Sequence, residues 1–249
     1  MTESNNIAIY CVCFPQHEPR KTQVYQKNIM CNASTISSEY HSELAKKGFV
    51  FDNNGDNISN LNWVLGDLTA TYWIWKNSTY DFVGTSQYRR FWDDSISTLS
   101  FEKNTLYVQE PRILDDTLKN QYIGSHGELG LNLLDELALK NKIVLTTEML
   151  EKTYTLRHLY SCNMFIAHKP TYDNFCKIVF DIVFEFYNSY EDIIKKLDPY
   201  NRRMPAFLAE RIITALVVNK EYFFPELNIV PLKWSVKKPS VFERIFKRK

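Results

Sequence analysis

Runs of apolar residues alternate along this chain with segments whose apolar positions recur every three to four residues. Residues 7–14 (IAIYCVCF) are almost wholly apolar and read as a buried strand. Residues 67–77 place Leu68, Tyr72 and Trp75 at i, i+4 and i+7, one face of a helix. Residues 81–86 (DFVGTS) read as a second buried strand, followed by a polar, charged turn. A short strand is expected at 106–108, a helix at 127–139, an extended segment at 142–145 and a strand at 161–167 (SCNMFIA). From near Thr171, the residues Tyr172, Phe175, Cys176, Val179, Phe180 and Val183 mark one side of a long helix. Pro205 opens another, with Leu208, Ile212 and Leu216 on its buried stripe. Strands alternating with helices predict an α/β fold around a mostly parallel sheet. No repeat and no linker divides the 249 residues, a length that suits one large domain or two tightly joined lobes.

Ligands of such sheets lie beyond the carboxyl ends of the strands, so polar clusters that follow strands carry the chemistry. The segment Gln87-Tyr88-Arg89-Arg90-Phe91-Trp92-Asp93-Asp94 follows DFVGTS. Its adjacent arginines offer fixed cations and many N–H donors, which a diphosphate needs when it binds and when it leaves. Asp93 and Asp94 offer carboxylates to a divalent metal, manganese or magnesium, or form a surface Arg/Asp pair. A second cluster, residues 53–59 (NNGDNIS), has the composition of an ordinary turn and helix cap. In the helix opened by Pro205, Glu210 points away from the apolar stripe, toward solvent or a cleft. There it can take a proton from a sugar hydroxyl or pair with a nearby arginine. Most of Trp63, Tyr72, Trp73 and Trp75 belong to the core, with one or two free to line a pocket.

Composition narrows the field. Charged residues balance to +1, so no whole-chain field attracts nucleic acid. Seven bases against Glu243 give residues 233–249 a net charge of +6 and leave −5 elsewhere. Within that tail, Val241, Phe242, Ile245 and Phe246 at helical spacing fit a peripheral contact with an anionic membrane. No apolar run reaches the roughly 20 residues of a transmembrane helix, and no signal peptide is read at the start. The five cysteines are scattered and lack a CxxC pair, as expected for reduced thiols in the cytoplasm. There is no GxGxxG, P-loop, HExxH or GxSxG, which argues against dinucleotide enzymes, P-loop nucleotidases, metallohydrolases and serine hydrolases.

Four stretches in order, GDNISNLNWVLGDLTATYWIWKN, DFVGTSQYRRFW, SCNMFIAHKPTYDNFC and NRRMPAFLAERI, resemble the bacterial capsule and O-antigen glycosyltransferases long known as a domain of unknown function. The resemblance spans about residues 5–232, and some members of that family are galactofuranosyltransferases with a GT-A-like fold. It implies a single GT-A-like domain over residues 1–232 with a basic tail at 233–249. It also implies transfer of a hexosyl unit from a nucleotide-sugar, a UDP-sugar first, to a saccharide acceptor that is often lipid-linked. On this likeness Arg89 and Arg90, beside Tyr88, neutralise the donor diphosphate, and Asp56, Asn57 and Asp67 contact the nucleotide or donor sugar. Asn163 and His168 border the acceptor. Glu210 is the general base, with Asp93 as the alternative, and any metal is held by Asp93 or Asp94. The chain departs from the family's usual residues at Gln87, where a His is usual, and at Asp67, where a Glu is usual. These departures keep open a non-catalytic member that binds saccharide or scaffolds a complex.

Overall fold

The computed structural model describes residues 6–15, 17–19 and 21–237. The chain opens with β1 (Ile7–Cys13), β2 (Gln26–Met30), α1 (Ser38–Lys46) and β3 (Phe49–Phe51). Next come α2 (Asn62–Leu65), α3 (Leu68–Asn77), β4 (Phe82–Gln87) and β5 (Arg90–Trp92). The middle holds β6 (Thr105–Gln109), β7 (Arg112–Ile113), α4 (Leu118–His126), α5 (Leu129–Leu139) and α6 (Thr147–Tyr154). The last third holds β8 (His158–Leu159), β9 (Phe165–His168), α7 (Lys169–Lys195), α8 (Met204–Val218), α9 (Lys220–Phe223), β10 (Asn228–Leu232) and β11 (Trp234–Val236).

The main path of the sheet runs β10-β6-β9-β4-β1-β2-β3. Its pairings are parallel except those of β9, which runs against both β4 and β6. The expected mostly parallel α/β architecture is therefore present. β4 (FVGTSQ) is buried along its whole length, as a central strand should be. A Cβ at Gly84 would lie 2.5 Å from Ile166 Cγ1 and 2.8 Å from the Phe165 carbonyl oxygen, so glycine permits the close approach of β4 and β9.

Local chemistry sets the helix ends. Ser37, Thr117 and Thr146 cap α1, α4 and α6 by accepting from the backbone amides of Tyr40, Asn120 and Met149. Proline stands in the first turn of α7 and of α8, where its missing N–H costs nothing. One large apolar cluster lies where α3, α7 and α8 pack, with Val83, Phe165, Tyr172, Phe180 and Leu216 in it. Ile9, Phe82, Trp92, Tyr107 and Ile166 form a second cluster.

Several expectations shift. Residues 142–145 are not a strand: the chain turns there, with Asn141 at φ 52, before α6. The helix expected from 127 begins at Leu129, because Gly127 at φ 73 ends α4. β11 lies beyond residue 232 and pairs antiparallel with β5, so the folded domain runs on to Val236. The amphipathic segment 241–246 lies outside the described residues. Among the described residues, no helix is long and apolar enough to cross a membrane.

Candidate active site

A cleft of about 610 Å³ opens at the carboxyl ends of β1 and β4. Gln87 ends β4 there, and Tyr88, Arg89 and Arg90 follow it on one wall. The start of α8 and the turn before it supply Arg202, Arg203, Ala206, Phe207 and Glu210. Gly66 and Asp67, at the junction of α2 and α3, and Cys162 and Asn163, just before β9, also line it, as do Trp63 and His126. Tyr88 is fixed by its amide, which donates to the Val12 carbonyl at 2.9 Å, and by His17, whose ring centre lies 4.8 Å from its own.

The α2–α3 junction is built on a buried carboxylate. Asp52 accepts from the amides of Asn32 (3.0 Å) and Ala33 (2.9 Å) and from the hydroxyls of Ser59 (2.7 Å) and Thr69 (2.6 Å). The Asn62 amide nitrogen donates to the Gly66 carbonyl at 2.7 Å. Gly66 adopts φ 56 and ψ −130, a conformation glycine reaches and other residues do not. A Cβ there would also stand 2.9 Å from an Arg203 nitrogen. Asp67 follows at the start of α3, yet its carboxylate does not cap that helix. Instead it accepts from Gln87 Nε2 at 2.7 Å and from Asn163 Nδ2 at 3.3 Å. The two positions at which the chain departs from the family pattern are thus hydrogen-bonded partners. Burial, and then the Glu210 charge, raise the Asp67 carboxyl above the usual range; the Gln87 and Asn163 bonds and Arg203 act the other way.

Glu210 has a different setting. Its Oε1 accepts from the Cys162 amide at 2.6 Å, and its Oε2 pairs at 2.9 Å with Arg211, which is 3 % exposed. Cys162 and Asn163 both hold left-handed backbone, φ 69 and 51, a strained pair that turns the chain into β9. The Cys162 thiol is pushed up to about 11 by burial and by Glu210, so it is no nucleophile at neutral pH. His126 stacks on Phe207 at 4.1 Å between ring centres, and burial, with the Arg211 charge, pushes it down to about 4.

Four guanidinium groups line this cleft: Arg89, Arg90, Arg202 and Arg203. Among the described residues, none of the four pairs with a carboxylate. Arg202 lies over the Trp63 ring at 5.4 Å and Arg203 over the Phe207 ring at 5.6 Å. Such aromatic support orients a guanidinium without cancelling its charge.

The cleft therefore gathers Asp67, Tyr88, Arg89, Arg90, Asn163 and Glu210 from the residues singled out in the sequence. It does not gather the others. Asp56 and Asn57 sit on an exposed turn: Asp56 accepts from the Tyr72 hydroxyl at 3.1 Å, and Asn57 donates to the Gly55 carbonyl at 2.9 Å. Asp56 ties that turn to α3 and Asn57 braces it from within, the ordinary role their composition allows. His168 pairs with Phe82 at the amino end of β4, across the sheet from the cleft, because β9 runs antiparallel to β4. Asp93 caps the short turn after β5 through the Ser95 amide, and exposed Asp94 pairs with Lys21 at 2.5 Å. Neither lines the cleft, and no cluster of three metal-binding side chains occurs among the described residues. The Asp93–Asp94 pair therefore does not fit a metal centre that would serve this site. Arg202, Arg203, Trp63 and His126 were not singled out as site residues. Only the Asn-Arg-Arg run immediately before the helix-opening Met-Pro hinted at the first two.

Comparison with known proteins follows this geometry. The fold is similar to that of the ligand-free structure of WbbM, a bifunctional glycosyltransferase, which matches with a TM-score of 0.69 at 18 % identity over 94 % of this chain. The match covers 46 % of that protein, so this chain spans about half its length. No curated protein sequence matches the chain. The chain belongs to the family described as a domain of unknown function, DUF4422, whose model matches residues 9–221.

Proposed function

We propose that this protein is a glycosyltransferase that moves a hexosyl unit from a nucleoside-diphosphate sugar to a saccharide acceptor during assembly of a bacterial surface polysaccharide. The observation that carries this reading is a cleft lined by four guanidinium groups, none paired with a carboxylate among the described residues, together with Asp67 and Glu210. A sugar nucleotide leaves as a diphosphate, and the developing charge on that leaving group is where fixed cations act most strongly. Arg89 and Arg90 approach the diphosphate from the β4 side, and Arg202 and Arg203 from α8. Trp63, Phe207 and His126 line the same cleft and give the base or sugar rings apolar surface to pack on. A UDP-sugar is the donor favoured by the family likeness, galactofuranosyl is the hexosyl unit of some relatives, and a lipid-linked acceptor would reach the cleft from the cytoplasmic face of the membrane.

A thermal-shift series with UDP, GDP, TDP and their sugars tests this, with and without manganese, since a ligand that binds only the native form raises Tm. A rise with one nucleoside diphosphate that survives chelation is expected. Arg89→Ala and Arg90→Ala should each lower transfer kcat by about 10²–10³. Binding of free saccharide with no response to any nucleotide would instead identify the non-catalytic, saccharide-binding alternative.

A further inference from the structure

We infer that Asp67, rather than Glu210, is the catalytic base that takes the proton of the acceptor hydroxyl; this rests on the glycosyltransferase reading above. Both carboxylates line the cleft, and their partners separate their roles. Glu210 is committed to structure: one oxygen holds the Cys162 amide and the other is the counter-charge of buried Arg211. A proton placed on Glu210 would strip Arg211 of its ion pair inside the fold, a penalty the reaction would carry on every turnover.

Asp67 has no such duty. It starts α3 without capping it, and no cation lies within ion-pair distance among the described residues. Its hydrogen-bond donors are two neutral amides, Gln87 Nε2 and Asn163 Nδ2. Those amides fix the carboxylate's orientation without supplying a counter-charge, and a carboxylate keeps lone pairs free for a hydroxyl donor. The Asn163 orientation is held at a cost: its buried Oδ1 has no partner among the described residues, and its backbone is left-handed. The fold thus maintains a strained residue whose amide serves Asp67. The raised carboxyl of Asp67, driven first by burial, agrees with a group suited to accept a proton.

In the step, the acceptor oxygen forms a bond to the anomeric carbon while the bond from that carbon to the diphosphate oxygen breaks. The acceptor proton passes to Asp67, and the electron pair leaves with the nucleoside diphosphate, held by the cleft arginines. Glu210 is a positioning residue that sets the 162–163 turn.

The test uses the full chain, UDP-galactofuranose as donor, an octyl galactoside as acceptor and UDP as the binding probe. Asp67→Asn should lower transfer kcat at least about 100-fold while the Kd for UDP stays within about threefold. Asp67→Glu should restore transfer to within about tenfold of wild type. Asp67→Ser, also neutral, should behave as Asp67→Asn does and serves if that variant fails to fold. Near-wild-type transfer by Asp67→Asn or Asp67→Ser overturns the inference alone. So does a loss of UDP affinity that parallels the loss of rate, or failure of Asp67→Glu to recover activity. A wild-type protein inactive in transfer overturns the enzymatic reading and this inference together.

Discussion

At the scale of single residues, partner chemistry decides what each ionisable group in the cleft can do. Glu210 and Asp67 are both acidic and both line the cleft, but one faces a buried guanidinium and the other two amides. Replacing Glu210 by Gln keeps its oxygen for the Cys162 amide and removes the charge that Arg211 needs. Unfolding free energy should fall by about 3 kcal/mol, the low end for a broken buried pair, because the Glu210 side chain is 23 % exposed; urea denaturation measures it. His126 makes a second case. Its folded value of about 4 lies below the ordinary 6.5, so the unfolded chain binds more protons between those values. Its neutral ring contributes fully above about pH 6.5, and that contribution is lost as pH falls toward 4. Urea midpoints measured from pH 7 to 4 should decline through this window, and His126→Phe should flatten the decline.

At the scale of elements, the cleft depends on how short segments are tied to strand ends. Asp52, just after β3, collects two backbone amides and two hydroxyls from segments far apart in sequence. It therefore holds the chain before α1, the approach to α2 and the first turn of α3 in one arrangement, and Gly66 and Asp67 lie within it. Asp52→Ala removes the acceptor of the Asn32 and Ala33 amides and leaves the Ser59 and Thr69 hydroxyls with their longer bonds to Ser34 Oγ (3.4 Å) and the Gly66 carbonyl (3.1 Å). A loss of about 3 kcal/mol of stability is expected, again by urea denaturation, together with weaker nucleotide affinity as the α2–α3 junction loosens. An exposed polar position such as Asn57 should change stability by no more than about 0.5 kcal/mol when replaced by Ala. That contrast separates the network from the turn beside it. The arginines of the α8 wall are an element-level feature too. They occupy the short turn immediately before α8, at the end of that helix which lines the cleft.

At the scale of the whole molecule, one reversed strand decides which clusters meet. β9 enters the sheet between β4 and β6 and runs against both. Its amino end, carrying Cys162 and Asn163, arrives at the carboxyl end of β4, and its carboxyl end carries His168 to the far edge. The sheet then closes past residue 232, with β11 on β5. Among the described residues, the strands of the sheet and the lining of the cleft lie between Ile7 and Val236. A protein ending at residue 237 should keep its unfolding free energy within about 0.5 kcal/mol and bind nucleoside diphosphate as the full chain does. Loss of binding to anionic vesicles in the same truncation would assign the basic tail to the membrane surface.

The alternation of apolar runs and helical stripes was enough to settle the α/β architecture, because burial on a sheet or a helix face imposes its period on the sequence. It also marked Arg89 and Arg90, since they follow an evident central strand. Strand direction left no such trace: a short buried strand such as FIAH has the same apolar pattern whichever way it runs. Hence His168, expected to border the acceptor, lies at the amino end of β4, away from the cleft. Partners were equally silent. The sequence shows that Glu210 leaves the apolar stripe of its helix, but the pairing with Arg211 and the amide of Cys162, and the Gln87–Asp67–Asn163 contacts, join residues up to 96 positions apart. Only packing in three dimensions brings such groups within hydrogen-bond reach, and that proximity, more than residue type, determines which carboxylate is free to react.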